Sequence, residues 1–101
     1  MSQKYKKIII RLDVSDLEGA TSGIMVLHDV TVDNSREGQD SVLVSTKHLD
    51  QTITFSSPEL AKQFAELSGG QVNGAVASLT VKTDEMMHGD IPTRDILEFV
   101  K

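Results

Sequence analysis

The sequence predicts an α+β domain over residues 1–101: a mainly antiparallel sheet of four to five strands in the order β-β-β-β-α-β, one amphipathic helix packed on a face, and a short C-terminal helix or strand. A small, partly open β-barrel is the alternative. Three observations carry this expectation. Ten Val, seven Ile and eight Thr make up a quarter of the chain, and their stiff branched side chains favour a pleated surface over a helix. Several segments alternate apolar and polar residues with the period of two that a half-buried strand requires. One segment, after Ser57-Pro58, has the period and end signals of a helix.

The first strand spans Lys6–Val14, with Ile8, Ile10, Leu12 and Val14 on one face and Lys7, Ile9, Arg11 and Asp13 on the other. Ser15–Gly19 breaks it. Gly23 opens a second strand in which Ile24, Val26, Val30 and Val32 share a face and His28 sits among them. Asp33–Asp40 is a polar loop. Ser41–Thr46 is a third strand and Gln51–Phe55 a fourth, with Lys47-His48-Leu49-Asp50 as the hairpin loop between them. Ser57 is a natural N-cap and Pro58 suits the first helical position, where no donor is lost. Leu60, Phe64 and Leu67 form the apolar stripe of the helix, with Ala61 and Ala65 beside it. Gly69 and Gly70 end it through a left-handed C-cap. Asn73-Gly74 leads into a fifth strand whose inner face is Ala75, Ala77, Leu79 and Val81, the two alanines packing beneath the helix. Thr83–Pro92 reads as a loop. Residues 94–101 read as a short helix started by Thr93, with a strand over Ile96–Val100 as the alternative.

Charge is uneven. The net formal charge is −5, yet residues 1–11 carry Lys4, Lys6, Lys7 and Arg11 and no acid, a charge of +4, while the remainder carries six basic and fifteen acidic residues, −9. Lysines on the outward side of a first strand are ordinary edge protection; a basic arm facing an anionic partner, or the acidic body of a neighbouring copy, is the sharper reading. An acidic body is a poor binder of phosphate backbones, whose affinity rests on Lys and Arg. The four aromatic residues, Tyr5, Phe55, Phe64 and Phe99, leave no stacking platform for single-stranded nucleic acid. No apolar run approaches the roughly 20 residues that span a bilayer, and Ile8-Ile9-Ile10 is too short for a signal peptide, so the cytoplasm is the expected compartment. There are no cysteines, which excludes disulfides, thiolate metal sites and thiol nucleophiles.

Chemistry-bearing motifs are sparse. His28, His48 and His88 have no local metal-ligand spacing; a catalytic His28 would need a carboxylate partner, and the adjacent Asp29 points to the other face of a strand. Asp84-Glu85-Met86-Met87-His88-Gly89-Asp90 gathers soft and oxygen donors, but exposed methionines equally suit an adaptable partner surface. Asp33-Asn34-Ser35-Arg36-Glu37-Gly38 begins like a calcium loop, yet Val44 stands where the closing bidentate Glu belongs. The same six residues resemble the D-x-S-x-x-G pattern of PilZ domains, small β-barrels that bind cyclic di-GMP; the arginine pair that clamps nucleotide in that family is missing, since only Lys4, Lys7 and Arg11 lie upstream. The glycines of Ser68–Gly74 follow a helix rather than precede one, which is the wrong end for a phosphate. No nucleophile elbow is present.

The sequence therefore predicts no catalytic site, no metal and no cofactor. It predicts a small non-catalytic protein-interaction or accessory module acting through exposed β edges and loops, with a protein partner or a second copy as its target. The alternative is a small-ligand or nucleotide-binding domain built on the basic first strand and the 33–38 loop. The candidate binding residues are Lys4, Lys6, Lys7, Arg11, Asp33, Ser35, Met86, Met87 and His88.

Overall fold

The computed structural model describes residues 2–33, 40–84 and 86–101. Eight strands and one helix follow in the order β1 (Ser2–Arg11), β2 (Ala20–Asp33), β3 (Ser41–Thr46), β4 (His48–Phe55), α1 (Pro58–Ser68), β5 (Gln71–Asn73), β6 (Ser78–Thr83), β7 (Met87–Pro92) and β8 (Ile96–Val100). They form one antiparallel sheet with the path β5-β6-β4-β2-β1-β8, while β3 pairs with both β2 and β7. The α+β class stands, but a sheet of four or five strands in β-β-β-β-α-β order does not.

The extra strands have local causes. Lys47–Asp50 is no hairpin loop. Thr31 faces Ser45 and His28 faces His48, so β3 and β4 run on almost as one strand along β2, interrupted only at Lys47. Nothing in Lys47-His48-Leu49-Asp50 supplies the glycine of a tight reversal. The supposed loop Thr83–Pro92 contains β7, which pairs along β3 from Ser41 opposite Pro92 to Thr46 opposite Met87. Thr93–Asp95 is a single 3-10 turn rather than the start of a helix, and Ile96–Val100 is β8, paired with β1.

That short turn shapes the sheet. Along β8-β1-β2-β3-β7, the outer strands would lie about four spacings, or roughly 19 Å, apart in a flat sheet. The four peptide steps from Pro92 to Ile96 reach only about 14 Å when fully extended. The sheet must therefore curve toward itself. No ladder joins β7 to β8 among the described residues, so the curved sheet is not a closed barrel.

The curvature encloses the larger apolar cluster: Ile8, Ile10, Leu27, Val30, Val32, Val44 and Leu49, flanked by Tyr5, Met25, Val42, Met87, Ile91 and Ile96. A second cluster of Phe55, Ala61 and Leu79 lies under α1, with Ile53, Leu60, Phe64, Val72 and Val81 around it. The Phe55 and Phe64 rings stack at 4.9 Å. The helix ends as its sequence dictates. Ser57 Oγ accepts the Leu60 N–H at 3.4 Å, and Gly69, at φ 75°, donates its N–H to the Ala65 carbonyl at 2.8 Å. At Gly70 a Cβ would stand 2.6 Å from the Thr80 carbonyl oxygen, so only glycine lets the chain pass this close to β6.

Two packing expectations fail beside the helix. Leu67 is 87% exposed, and the buried stripe is Leu60, Ala61, Phe64 and Ala65 instead. Ala75 and Ala77 lie in the β5–β6 turn, with Ala77 at φ 53°; the strand under the helix starts only at Ser78.

Candidate functional site

A line of irregularities crosses the sheet and governs which side chains face outward. In a regular strand, inward positions are two residues apart. On β2 the buried residues are Leu27 and then Val30, three apart, with Asp29 at φ 51° between them. The neighbouring strands step likewise: half-buried Tyr5 to buried Ile8 on β1, and buried Thr46 to buried Leu49 across the β3–β4 junction. Each step leaves two consecutive residues off the core: Lys6 and Lys7, His28 and Asp29, Lys47 and His48. The register of β2 with β1 and with β3–β4 runs through this level unshifted, so no strand here sets two residues against one as a bulge would; the three strands change side-chain phase together, a phase step at Asp29.

His28 is therefore not on the inward face with Val30 and Val32, as alternation from Ile24 through Val32 predicts. The phase changes at Asp29, and His28 lies on the outside opposite Lys7 and His48. The two imidazoles stack at 4.7 Å with 8° between planes. His28 Nε2 is 2.8 Å from Asp50 Oδ2. An ionised carboxylate only accepts, so that nitrogen carries the proton and the tautomer is fixed. Asp50 is opposite both Val26 and Lys82. Beneath them the buried Thr46 hydroxyl donates to the His28 carbonyl and lies 3.0 Å from the His48 carbonyl, a side-chain link between β2 and the β3–β4 junction.

This His–His–Asp group is the principal cluster that sequence reasoning missed. His28 and Asp50 are 22 residues apart, and Asp50 stands in the segment expected to be a loop; only the register brings them together. Its chemistry is limited by its surroundings. Among the described residues no group of three or more His, Asp or Glu side chains is arranged to hold a metal ion. Two clefts on the molecule lie away from it. The larger, about 690 Å³, lies between Arg11–Ser15, Ala20–Gly23 and Arg94-Asp95; the smaller, about 510 Å³, lies among Asp40, Ser41, Pro92, Thr93 and Arg94. Both are open grooves. In the larger one Arg11 Nη2 bonds Asp95 Oδ1 at 3.1 Å, an exposed pair worth little. The Ser15 backbone N–H donates to Asp13 at 2.9 Å, and this bond with the Ser15 side chain holds that carboxyl below its ordinary range.

The candidate binding residues disperse over the molecule. Lys4 faces Thr31, near Asp33 at the end of β2, whereas Arg11 faces Ile24 at the other end of β1, about 23 Å from Lys4 by the rise of a strand. Ser35 lies outside the described residues. Lys6 and Lys7 stand at the phase step. Met86 is 82% exposed, but Met87 packs against the larger cluster, and His88 Nδ1 lies 2.7 Å from Ser45 Oγ. Of the 33–38 segment, only Asp33 lies among the described residues.

The sheet borders differ in chemistry. β7, which among the described residues bonds only to β3, is Met-His-Gly-Asp-Ile-Pro, whose polar residues and terminal proline discourage further pairing. β8 ends the sheet path and is Ile-Leu-Glu-Phe-Val, with one charge and no proline. Leu97 is 57% and Phe99 42% exposed. Ile9 faces Glu98 and Ile10 faces Ile96, so Leu97 is a bulged residue, while Glu98 to Val100 pair regularly with β1. The Phe99 ring lies 5.0 Å from Tyr5, over which the Lys101 ammonium sits at 5.9 Å. No helix among the described residues is long and apolar enough to cross a membrane. No family model, no curated protein and no solved structure matches the chain.

Proposed function

We propose that this protein is a non-catalytic protein-binding module that takes an extended segment of a partner onto the border of β8. One observation carries the reading: among the described residues β8 bonds to β1 alone, and its large apolar residues Leu97 and Phe99 stand exposed on an edge with a single charge. Backbone donors and acceptors on such a border supply affinity, and alternate side chains supply selectivity. The Tyr5–Phe99 ring pair beside it offers a firm aromatic anchor of the kind that dominates protein interfaces. The His28–His48–Asp50 group borders neither of the two grooves described above and stands at the phase step, which supports a structural role for it.

The test is selection of short peptides from an unbiased library against dilute protein, followed by titration of the winners into Phe99→Lys protein whose circular dichroism matches the parent. Peptides of alternating apolar pattern are expected to emerge, and to bind the variant at least about tenfold more weakly, or 1.4 kcal/mol. An empty selection, or equal binding by the variant, contradicts the reading.

A further inference from the structure

We infer that the β8 border is self-complementary and pairs antiparallel with β8 of a second copy, the two-fold axis passing through Phe99. The inference rests on the reading of β8 as an open border and names its occupant.

The register follows from which residues share a face. Phe99 stands opposite the buried Ile8, and Glu98 and Val100 stand opposite Ile9 and Lys7 on the other face. A two-fold axis perpendicular to the sheet continues it without inverting its faces, so residues directly opposed across the new ladder must share a face. Only pairings centred on a residue of β8 meet that condition. Centring on Glu98 sets two carboxylates directly opposite, which is destabilising. Centring on Leu97 places the axis in the bulge. Centring on Phe99 sets the two phenyl rings against each other and Glu98 against Val100 of the other copy, with no like charges opposed.

The neighbours favour the same register. Each Phe99 already lies 5.0 Å from a Tyr5 ring, so the pairing joins two aromatic pairs into a row of four rings across the axis. Lys101, already over Tyr5, shares the face of Phe99 and becomes the diagonal neighbour of Phe99 from the other copy, placing a cation near a second ring. A border with one exposed aromatic at its centre and flanking residues that match under two-fold rotation is complementary to itself.

The native absence of cysteine makes the geometry directly testable. Residues directly opposed in an antiparallel pair have Cα atoms about 4.5–5.5 Å apart, within the range a disulfide accepts. Single variants Phe99→Cys, Glu98→Cys and Val76→Cys would be exposed to a mild oxidant, alongside sedimentation of the parent and of Phe99→Lys from micromolar to millimolar concentration. The expected results are a concentration-dependent dimer of the parent, its loss in Phe99→Lys, and covalent dimer from Phe99→Cys well above that from the exposed turn position Val76→Cys. A parent that stays monomeric throughout overturns the inference, as does covalent dimer forming most readily through Glu98→Cys. If the parent is monomeric while selected peptides still bind β8, the second copy is wrong and the protein-binding reading survives; if neither binds, both fall.

Discussion

The two apolar clusters are built in opposite ways. The smaller one, Phe55, Ala61 and Leu79, draws most of its surroundings from residues 53–81 and is covered by a helix. The larger one, from Ile8 to Leu49 with Ile91 and Ile96 on its flanks, has no helix over it. There the sheet covers itself by curving, which the three-residue turn between β7 and β8 enforces. The smaller cluster is held by near neighbours in sequence. The larger depends on strands meeting from both ends of the chain, and on the phase step at Asp29 across which Leu27 and Val30 are both buried.

Substitutions separate these dependencies. Leu27→Ala empties a fully buried position at the centre of the larger cluster, and should cost about 3 kcal/mol with the loss felt in every strand. Urea midpoints checked by probes at both ends of the molecule would show it. Phe64→Ala removes a half-buried ring stacked on Phe55. It should cost less, about 2 kcal/mol, with faster amide exchange concentrated in α1 and β5. Equal exchange changes in β1 and β2 would mean that the two clusters form one cooperative unit. Thr46→Val preserves shape while deleting the hydroxyl that donates to the His28 carbonyl. It should cost about 1–2 kcal/mol, with the His28 and His48 ring resonances shifting as the stacked pair loses its support; unchanged resonances would remove Thr46 from the account of the line.

The same contrast explains what was legible in the sequence. The helix end was readable because its signals are local: Ser57, Pro58 and Gly69 each act on backbone within four residues. Leu67 misled because its spacing matches a stripe whose last turn overhangs the sheet. The end with the phase step was largely unreadable. Asp29 is a non-glycine residue in the left-handed region, a conformation Asp tolerates but does not announce, and one such residue reverses the apparent face of everything before it. The polar run at Lys47-His48 reads like a loop between two strands, although β3 and β4 continue along the same neighbour. β7 hid because Gly89, Asp90 and Pro92 are typical of loops. The His28–Asp50 pair became visible only with the β2–β4 register, since neither residue has a local motif. β8 stood in the sequence only as the alternative for Ile96–Val100, because Thr93-Arg94-Asp95 resembles a helix start.

The border itself is best tested by backbone amide exchange through Ile96–Val100, followed residue by residue in dilute and in concentrated protein. An antiparallel strand directs alternate amides to its two sides. In dilute solution the amides bonded to β1 should exchange slowly and those between them quickly, and the quick ones should become protected as concentration rises. Uniform protection of all of β8 in dilute protein would mean that the edge is already covered within one chain, and the account of this molecule would be wrong.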